Sequence, residues 1–556
     1  MTATPFAPAI KPFSASSDDF VTYTTARHWI GGQWRDPISS TTVHDVINPR
    51  FGKVIAQVKM GAADDVAAAV QVGAAAARDW GQWPIRDRAH VLYRLRELML
   101  KNLDELAWLL SHENGKVFGE AKAEVEKGIE CVEYGCSLPN LAAGNQLEVS
   151  RGVACELAYV PLGVVAGVTP FNFPMMVPLW MLPQALVGGN SFVLKPSERV
   201  PLSTLRLAEL LAQAGLPAGV FNMVQGGREV VEALCDHPDI KALGFVGSTK
   251  VAKAVYGRAS TNGMRALCLG GAKNHLIVVP DADLQVTAEN IVASFTGCAG
   301  QRCMAASVLL AVGDVDHILA AVRDRAAKIT VGKDLGPVTT AAARERINRY
   351  IDQAEKAGAK VTLDGRKSGA GANNAGGYWV GPTIIEGVTP EMAAAREEIF
   401  GPVLSVIRVP NLDKAIEIEN ANPYGNASSI YTSSGDLARR VIDRVEAGMC
   451  GVNIGVPVPR EPFGFGGWND SCFGHGNITG WDGYRFWTRQ RKLTSKWAVQ
   501  RDHNWMSLES RKHHEHHQAH RRNPCSPRSR WAHEFARDDR HLQEVQPVLL
   551  ERDWQS

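Results

Sequence analysis

Between residues 62 and 145 the apolar side chains return every three or four positions. In RAHVLYRLRELMLKNLDELAWLLSHENGK, Leu, Val and Ala keep that spacing, which predicts helices with one buried face. From residue 158 the pattern changes to short apolar runs: YVPLGVVAGV, SFVLK, VFNMV, ALGFVG and HLIVV. Helical stretches such as STLRLAELLAQAG and STKVAKAVYGRA lie between them. Strands alternating with helices predict βαβ units and a parallel sheet covered on both faces. A second alternating block, roughly 304 to 455, holds KVTLDG, VLSVIRV, SSIYTS and CGVNIG. The expected fold is therefore α/β, with two parallel-sheet domains in series.

Two stretches break the pattern. Residues 157 to 194 carry no charge, but Pro161, Pro170, Pro174, Pro178 and Pro183 interrupt them. A bilayer helix needs about 20 uninterrupted apolar residues, so a buried strand, loop and helix is expected and no membrane span. Beyond Trp497 periodicity stops, and eight of the sixteen histidines fall between 503 and 541. HHEHH reads as part of a solvated, disordered or aberrant tail at 498–556 rather than a metal site, and no metal is expected.

Composition narrows the class. A chain of 556 residues exceeds one compact core and suggests roughly three domains by length. The net charge of +2 gives no overall basic excess to argue for nucleic acid. Ten scattered cysteines contain no CxxC pair, and MTATPFAPAIKPFSASSDDF lacks a basic start followed by an apolar run. Reduced thiols and a cytoplasmic location are the expectation.

The candidate chemistry centres on SFTGCAGQRCMAAS, residues 294 to 307. Cys303 follows Gly300, Gln301 and Arg302, with small residues that leave room for a substrate. A thiolate attacks carbonyl carbon, yet a single cysteine is more often a small buried hydrophobe. No strand is followed by GxGxxG, so the usual dinucleotide fingerprint is absent. GFVGST (244–249) could offer free backbone N–H groups to a phosphate at a helix start.

TPFNFP (169–174), KPSE (195–198), GFVGST, GAKNH (271–275), GQRC and EEIFGPV (397–403) occur in one order in one chain. Together they resemble the aldehyde dehydrogenase superfamily over about 28 to 497. The resemblance implies that Cys303 attacks an aldehyde while the Asn172 amide and the Cys303 N–H hold the oxyanion, and that NAD takes the hydride. Thr169, Phe171, Lys195, Glu198, Gly247, Ser248, Glu398 and Phe400 are the implied cofactor residues. Lys195 would meet the adenosine ribose, Ser248 the pyrophosphate and Glu398 the nicotinamide ribose, with Phe400 beside the ring. Glu198 would repel a 2′-phosphate, which favours NAD over NADP. Cys298 matches no motif position and is expected to pack.

One departure redirects the chemistry. Hydrolytic members carry E-L-G-G-K, whose glutamate activates water. Aligning its lysine with Lys273 puts Leu269 on the glutamate, and leucine takes no proton. GAKNH without that glutamate, GQRCMA, FGGWND and YRFWTRQRKLTSKW resemble the CoA-acylating methylmalonate-semialdehyde dehydrogenase group. That implies coenzyme A as acyl acceptor, propionyl-CoA or acetyl-CoA as product with loss of CO2, a place in valine and inositol breakdown, and a homotetramer. The alternative is a hydrolytic NAD(P)-dependent enzyme releasing a free acid. Arg302 and Lys127 are the expected carboxylate readers, Lys127 standing where the group has arginine. The implied layout is a flexible segment 1–27, an NAD-binding domain 28–146 and 164–274, and a catalytic domain 275–465. Oligomerisation strands at 147–163 and 480–497 complete it.

Overall fold

A computed structural model describes residues 20–368 and 376–497. The tail at 498–556, with HHEHH, lies outside the described residues, as do residues 1–19. Of the expected flexible segment 1–27, residues 20–27 run beside Lys53–Lys59. There the N–H groups of Tyr23 and Ala26 donate to the carbonyls of Ile55 and Gln57, both at 2.7 Å.

Two large sheets carry the chain. The first has eight strands in the order Gln33–Arg35, His28–Ile30, Phe221–Met223, Ser191–Lys195, Val164–Val168, Ile240–Val246, Arg265–Leu269 and Cys472–Phe473. Its five inner strands are parallel and its edges antiparallel. The second has seven: Lys360–Leu363, Thr383–Glu386, Val403–Val409, Ala306–Val312, Asn274–Val278, Ala427–Tyr431 and Met449–Val452. All its neighbours are parallel except the first pair. The apolar runs at 164, 191 and 274 are fully buried strands, and the run at 240 is buried except at Lys241, because helices cover both faces.

The charge-free stretch becomes the strand Val164–Val168, a loop, and the buried helix Met176–Val187. No helix among the described residues is long and apolar enough to cross a membrane. The region 62–145 supplies four helices, ending with Phe118–Leu141. That helix lies tight on Met176–Val187: a Cβ on Gly128 or Gly135 would stand 2.7 Å from Leu179 Cδ1 or Pro183 Cβ.

A third sheet joins Asn145–Ser150, Val153–Pro161 and Thr488–Lys496. This corrects the expectation of strand throughout 480–497. Gly480–Phe486 is a helix, because its turns bury Tyr484 and Phe486 and deliver Trp487 onto Phe192 and Gly244 of the first sheet.

Candidate active site

In the first sheet strand order reverses on either side of Val164–Val168, the place where open parallel sheets bind ligands at their carboxyl ends. Thr169, Lys195 and Gly247 follow or end those strands. The second sheet meets the same cleft with its amino ends: Cys303 precedes Ala306–Val312, and Phe400 precedes Val403–Val409. One cleft of about 1490 Å³ is lined by Thr169, Phe171, Asn172, Lys195, Glu198, Gly247, Ser248, Cys303, Glu398 and Phe400. Ten residues chosen from five separate sequence motifs thus come together.

The nucleophile loop is held from several sides. Cys298, Ala299 and Gly300 take left-handed φ values of 51°, 53° and 68°, a conformation that costs roughly 1–2 kcal/mol for each non-glycine residue. The Cys298 N–H donates to Glu120 Oε1 at 2.6 Å. Gln301 Oε1 accepts from the Thr339 N–H and hydroxyl at 3.1 and 3.0 Å. The Cys303 carbonyl accepts from Asn274 Nδ2 at 2.8 Å and Asn426 Nδ2 at 2.9 Å. Asn172 Nδ2 donates to the Gln301 carbonyl at 3.0 Å. An amide carries two N–H donors, so one is left free of this bond.

Burial pushes the Cys303 thiol up to about 12, with Glu398 adding to the shift, while the N–H groups of Cys303 and Met304 favour the thiolate. Burial also raises Glu398 to about 7, opposed by the Ala272 N–H at 3.2 Å and by Lys273. A Cβ on Gly271 would run into Glu398 Oε2, so glycine here lets the carboxylate lie against the turn. Lys273 falls to about 7 by burial, with Glu398 and Glu397 working against it. Burial would raise Glu198, but Lys195 at 3.1 Å, a backbone N–H and Arg199 together outweigh it and hold the carboxyl below its ordinary range.

The cleft fits a dinucleotide. Ser248 caps the helix Thr249–Thr261 with its hydroxyl uncommitted to the cap. The Thr169 hydroxyl lines the cleft buried and without a partner. The Phe171 and Phe400 rings meet edge-on at 5.9 Å, and Arg199 stands 5.6 Å over Phe171.

Arg302 and Lys127 are not among the lining residues. Arg302 lies across Gly297, where a Cβ would strike the guanidinium, and its Nη2 is 3.5 Å from Glu120. Lys127 does not join it: its ammonium pairs with Glu130 at 2.9 Å and Glu461 at 3.0 Å. The two carboxylates already partner the Lys127 ammonium. Leu269 ends its strand at 3% exposure, in the hydrophobic cluster against which Cys303 packs, and Gly270 and Gly271 line the cleft beyond it. Cys298 is buried, as a packing residue would be.

Sequence reasoning missed Arg199, Glu120, Asn274 and Asn426, and also Asn114, Lys116 and Glu124 behind Asn172. Asn274 stood inside the quoted GAKNH. Nothing in the spacing of the others ties them to Cys303.

Residues 34–493 match the model of the aldehyde dehydrogenase family. The chain is 45% identical over 481 residues to malonate-semialdehyde dehydrogenase 1 of Geobacillus thermodenitrificans, covering 85% of this chain and 99% of the relative. It is 44% identical over 479 residues to malonate-semialdehyde dehydrogenase of Halalkalibacterium halodurans, covering 85% and 98%. The solved methylmalonate-semialdehyde dehydrogenase of Oceanimonas doudoroffii superposes with a TM-score of 0.84 at 42% identity, covering 86% of this chain and 99% of the other. A Sinorhizobium meliloti chain solved in complex with NAD gives a TM-score of 0.84 at 40% identity over the same shares.

Proposed function

This chain belongs to the aldehyde dehydrogenase family, and from that premise we propose that it oxidises malonate or methylmalonate semialdehyde with NAD and passes the acyl group to coenzyme A. The observation that carries the acyl-acceptor assignment is Leu269: the position that would hold a water-activating carboxylate is apolar and buried.

In this reading the Cys303 sulfur bonds to the aldehyde carbon, and the second Asn172 N–H with the Cys303 N–H holds the oxyanion. Bound NAD supplies the acceptor for the hydride that leaves this carbon, held by Lys195, Glu198, Ser248 and Glu398, with Thr169, Phe171, Gly247 and Phe400 shaping its place. The carbonyl re-forms as a thioester on Cys303. The bond to the substrate's own carboxylate then breaks and CO2 departs. The electron pair rests on the thioester oxygen, facing the same two donors, until a solvent proton reaches carbon. A CoA thiol loses its proton near pH 8.5, so a useful fraction attacks the thioester without a protein base and Cys303 leaves as thiolate.

Arg302 is the cation proposed to read the carboxylate. Lys127 is left out of that role because two glutamates already hold it. A homotetramer built on the third sheet is proposed from its exposed Leu147, Val149 and Leu493. A cytoplasmic location, and a role in valine and inositol breakdown, are proposed with it; the described cysteines are all free thiols.

Hydrolysis is the competing reading, and Glu398 favours it as a buried carboxyl near pH 7 beside Cys303. Product analysis from malonate semialdehyde separates the two. Acetyl-CoA and CO2 in the presence of CoA support acylation, and a free acid, malonate or acetate, as the sole product with CoA present supports hydrolysis.

A further inference from the structure

Asn172 lies in an irregular segment between the strand Val164–Val168 and the helix Met176–Val187. Irregular backbone leaves an oxyanion donor without fixed direction unless side chains supply it. Three do. Asn114 Nδ2 donates to the Phe171 carbonyl at 2.7 Å. Lys116 Nζ donates to the Asn172 carbonyl at 2.5 Å and to Glu124 Oε2 at 2.5 Å. Glu124 Oε1 accepts from the N–H groups of Met175 at 2.9 Å and Met176 at 3.2 Å. The Lys116 ammonium also sits 3.7 Å from the centre of the Phe173 ring. The segment Phe171–Met176 is thus gripped at Phe171 and Asn172 and again at Met175 and Met176.

The Lys116 and Glu124 side chains are 2% and 0% exposed. A buried ion pair is a poor device for stability, since apolar replacements of similar volume are often neutral or stabilising. Three of this pair's hydrogen bonds go to the backbone of the segment that carries Asn172.

We propose that Lys116 and Glu124 are positioning residues that aim the Asn172 amide at the oxyanion beside Cys303. The proposal rests on the aldehyde-oxidising reading above. It places the first half of catalysis under the control of a buried ion pair 48 to 56 residues upstream of the amide it serves.

The test is a double-mutant cycle on NADH formation from an aldehyde. Lys116→Met should lower kcat about 10²-fold, the size of losing an oxyanion donor. In an Asn172→Ala background the same change should cost less than about threefold, because the amide it aims is gone. NAD affinity and the Cys303 alkylation rate should stay within about twofold of wild type, which a general loss of structure would not allow. If Lys116→Met folds poorly, Lys116→Met with Glu124→Met removes both charges together and should fold while staying slow. Full additivity in the cycle, or a matching fall in NAD affinity, overturns the proposal alone. An Asn172→Ala enzyme with wild-type turnover overturns the oxyanion assignment beneath it, and the proposal with it.

Discussion

The two sides of Cys303 differ in kind. On one side Asn172, Gln301 and the Lys116–Glu124 pair form a polar surface braced by hydrogen bonds from Asn172 to the Gln301 carbonyl, from Thr339 to Gln301, and from Lys116 to Glu124 and the Asn172 carbonyl. On the other Leu269 ends a strand inside a hydrophobic cluster, and the glycines after it lead to the buried Glu398 carboxyl, which lies against Gly271. Capturing an aldehyde needs charge stabilised on oxygen, and the polar side provides for it. Releasing an acyl group to water needs a positioned base, and Leu269, at the position where that base is expected, takes no proton. In the proposed reading the two halves of the catalytic cycle are built to different degrees, and the less-built half falls to the co-substrate.

Changes that break the capture side should have the largest effects. Cys303→Ala should lower NADH formation by on the order of 10⁴-fold, as loss of a covalent nucleophile does. Cys298→Ala should keep most activity at equal folded content. Comparable losses in both would move the nucleophile. Arg302→Leu should raise KM for malonate semialdehyde roughly tenfold to a hundredfold more than KM for propanal, since a charged partner is lost. Lys127→Met should shift neither by more than about twofold, because its ammonium serves Glu461 and Glu130. Equal effects of Arg302→Leu on both aldehydes would remove the carboxylate reader.

A third measurement sharpens the contrast without a mutation. With its thiol pushed up to about 12 by burial, Cys303 of the ligand-free enzyme is mostly protonated at neutral pH. The reactive thiolate fraction rises about tenfold per pH unit while pH stays below that value. Iodoacetamide inactivation should therefore accelerate about tenfold per unit from pH 7 to 9, and a plateau reached by pH 8 would contradict it. The smallest effect is expected on the release side. Leu269→Glu places a carboxylate where hydrolytic relatives hold theirs, and should raise the CoA-independent rate severalfold, well below the roughly 10²- to 10⁴-fold of an evolved base. An unchanged rate, with the variant folded and binding NAD, would show that this position does not face the thioester.

Much of this was legible in the chain. Apolar runs of four to seven residues between helical stretches gave both parallel sheets, because strands buried on both faces carry no polar alternation. The motif residues that line the cleft were legible because each sits at a strand end or a turn with an unusual local pattern. The rest was not. Gly480–Phe486 shares its aromatic content with strands, and only its packing under the first sheet decides for helix. Lys127 kept the charge expected of a carboxylate reader, yet Glu461, 334 residues on, takes that charge. Nothing in the local pattern around Lys116 and Glu124 marks them as buried. Their burial behind Asn172 follows from long-range packing that no local spacing records.

The central claim is that the thioester on Cys303 waits for coenzyme A, and rapid mixing tests it most directly. With NAD and malonate semialdehyde but no CoA, NADH should appear in a burst of about one equivalent per active site and then slow. Adding CoA should restore fast turnover with ping-pong kinetics and an acyl-CoA product. Fast steady-state NADH formation without CoA, with free acid as the sole product when CoA is present, would contradict the account.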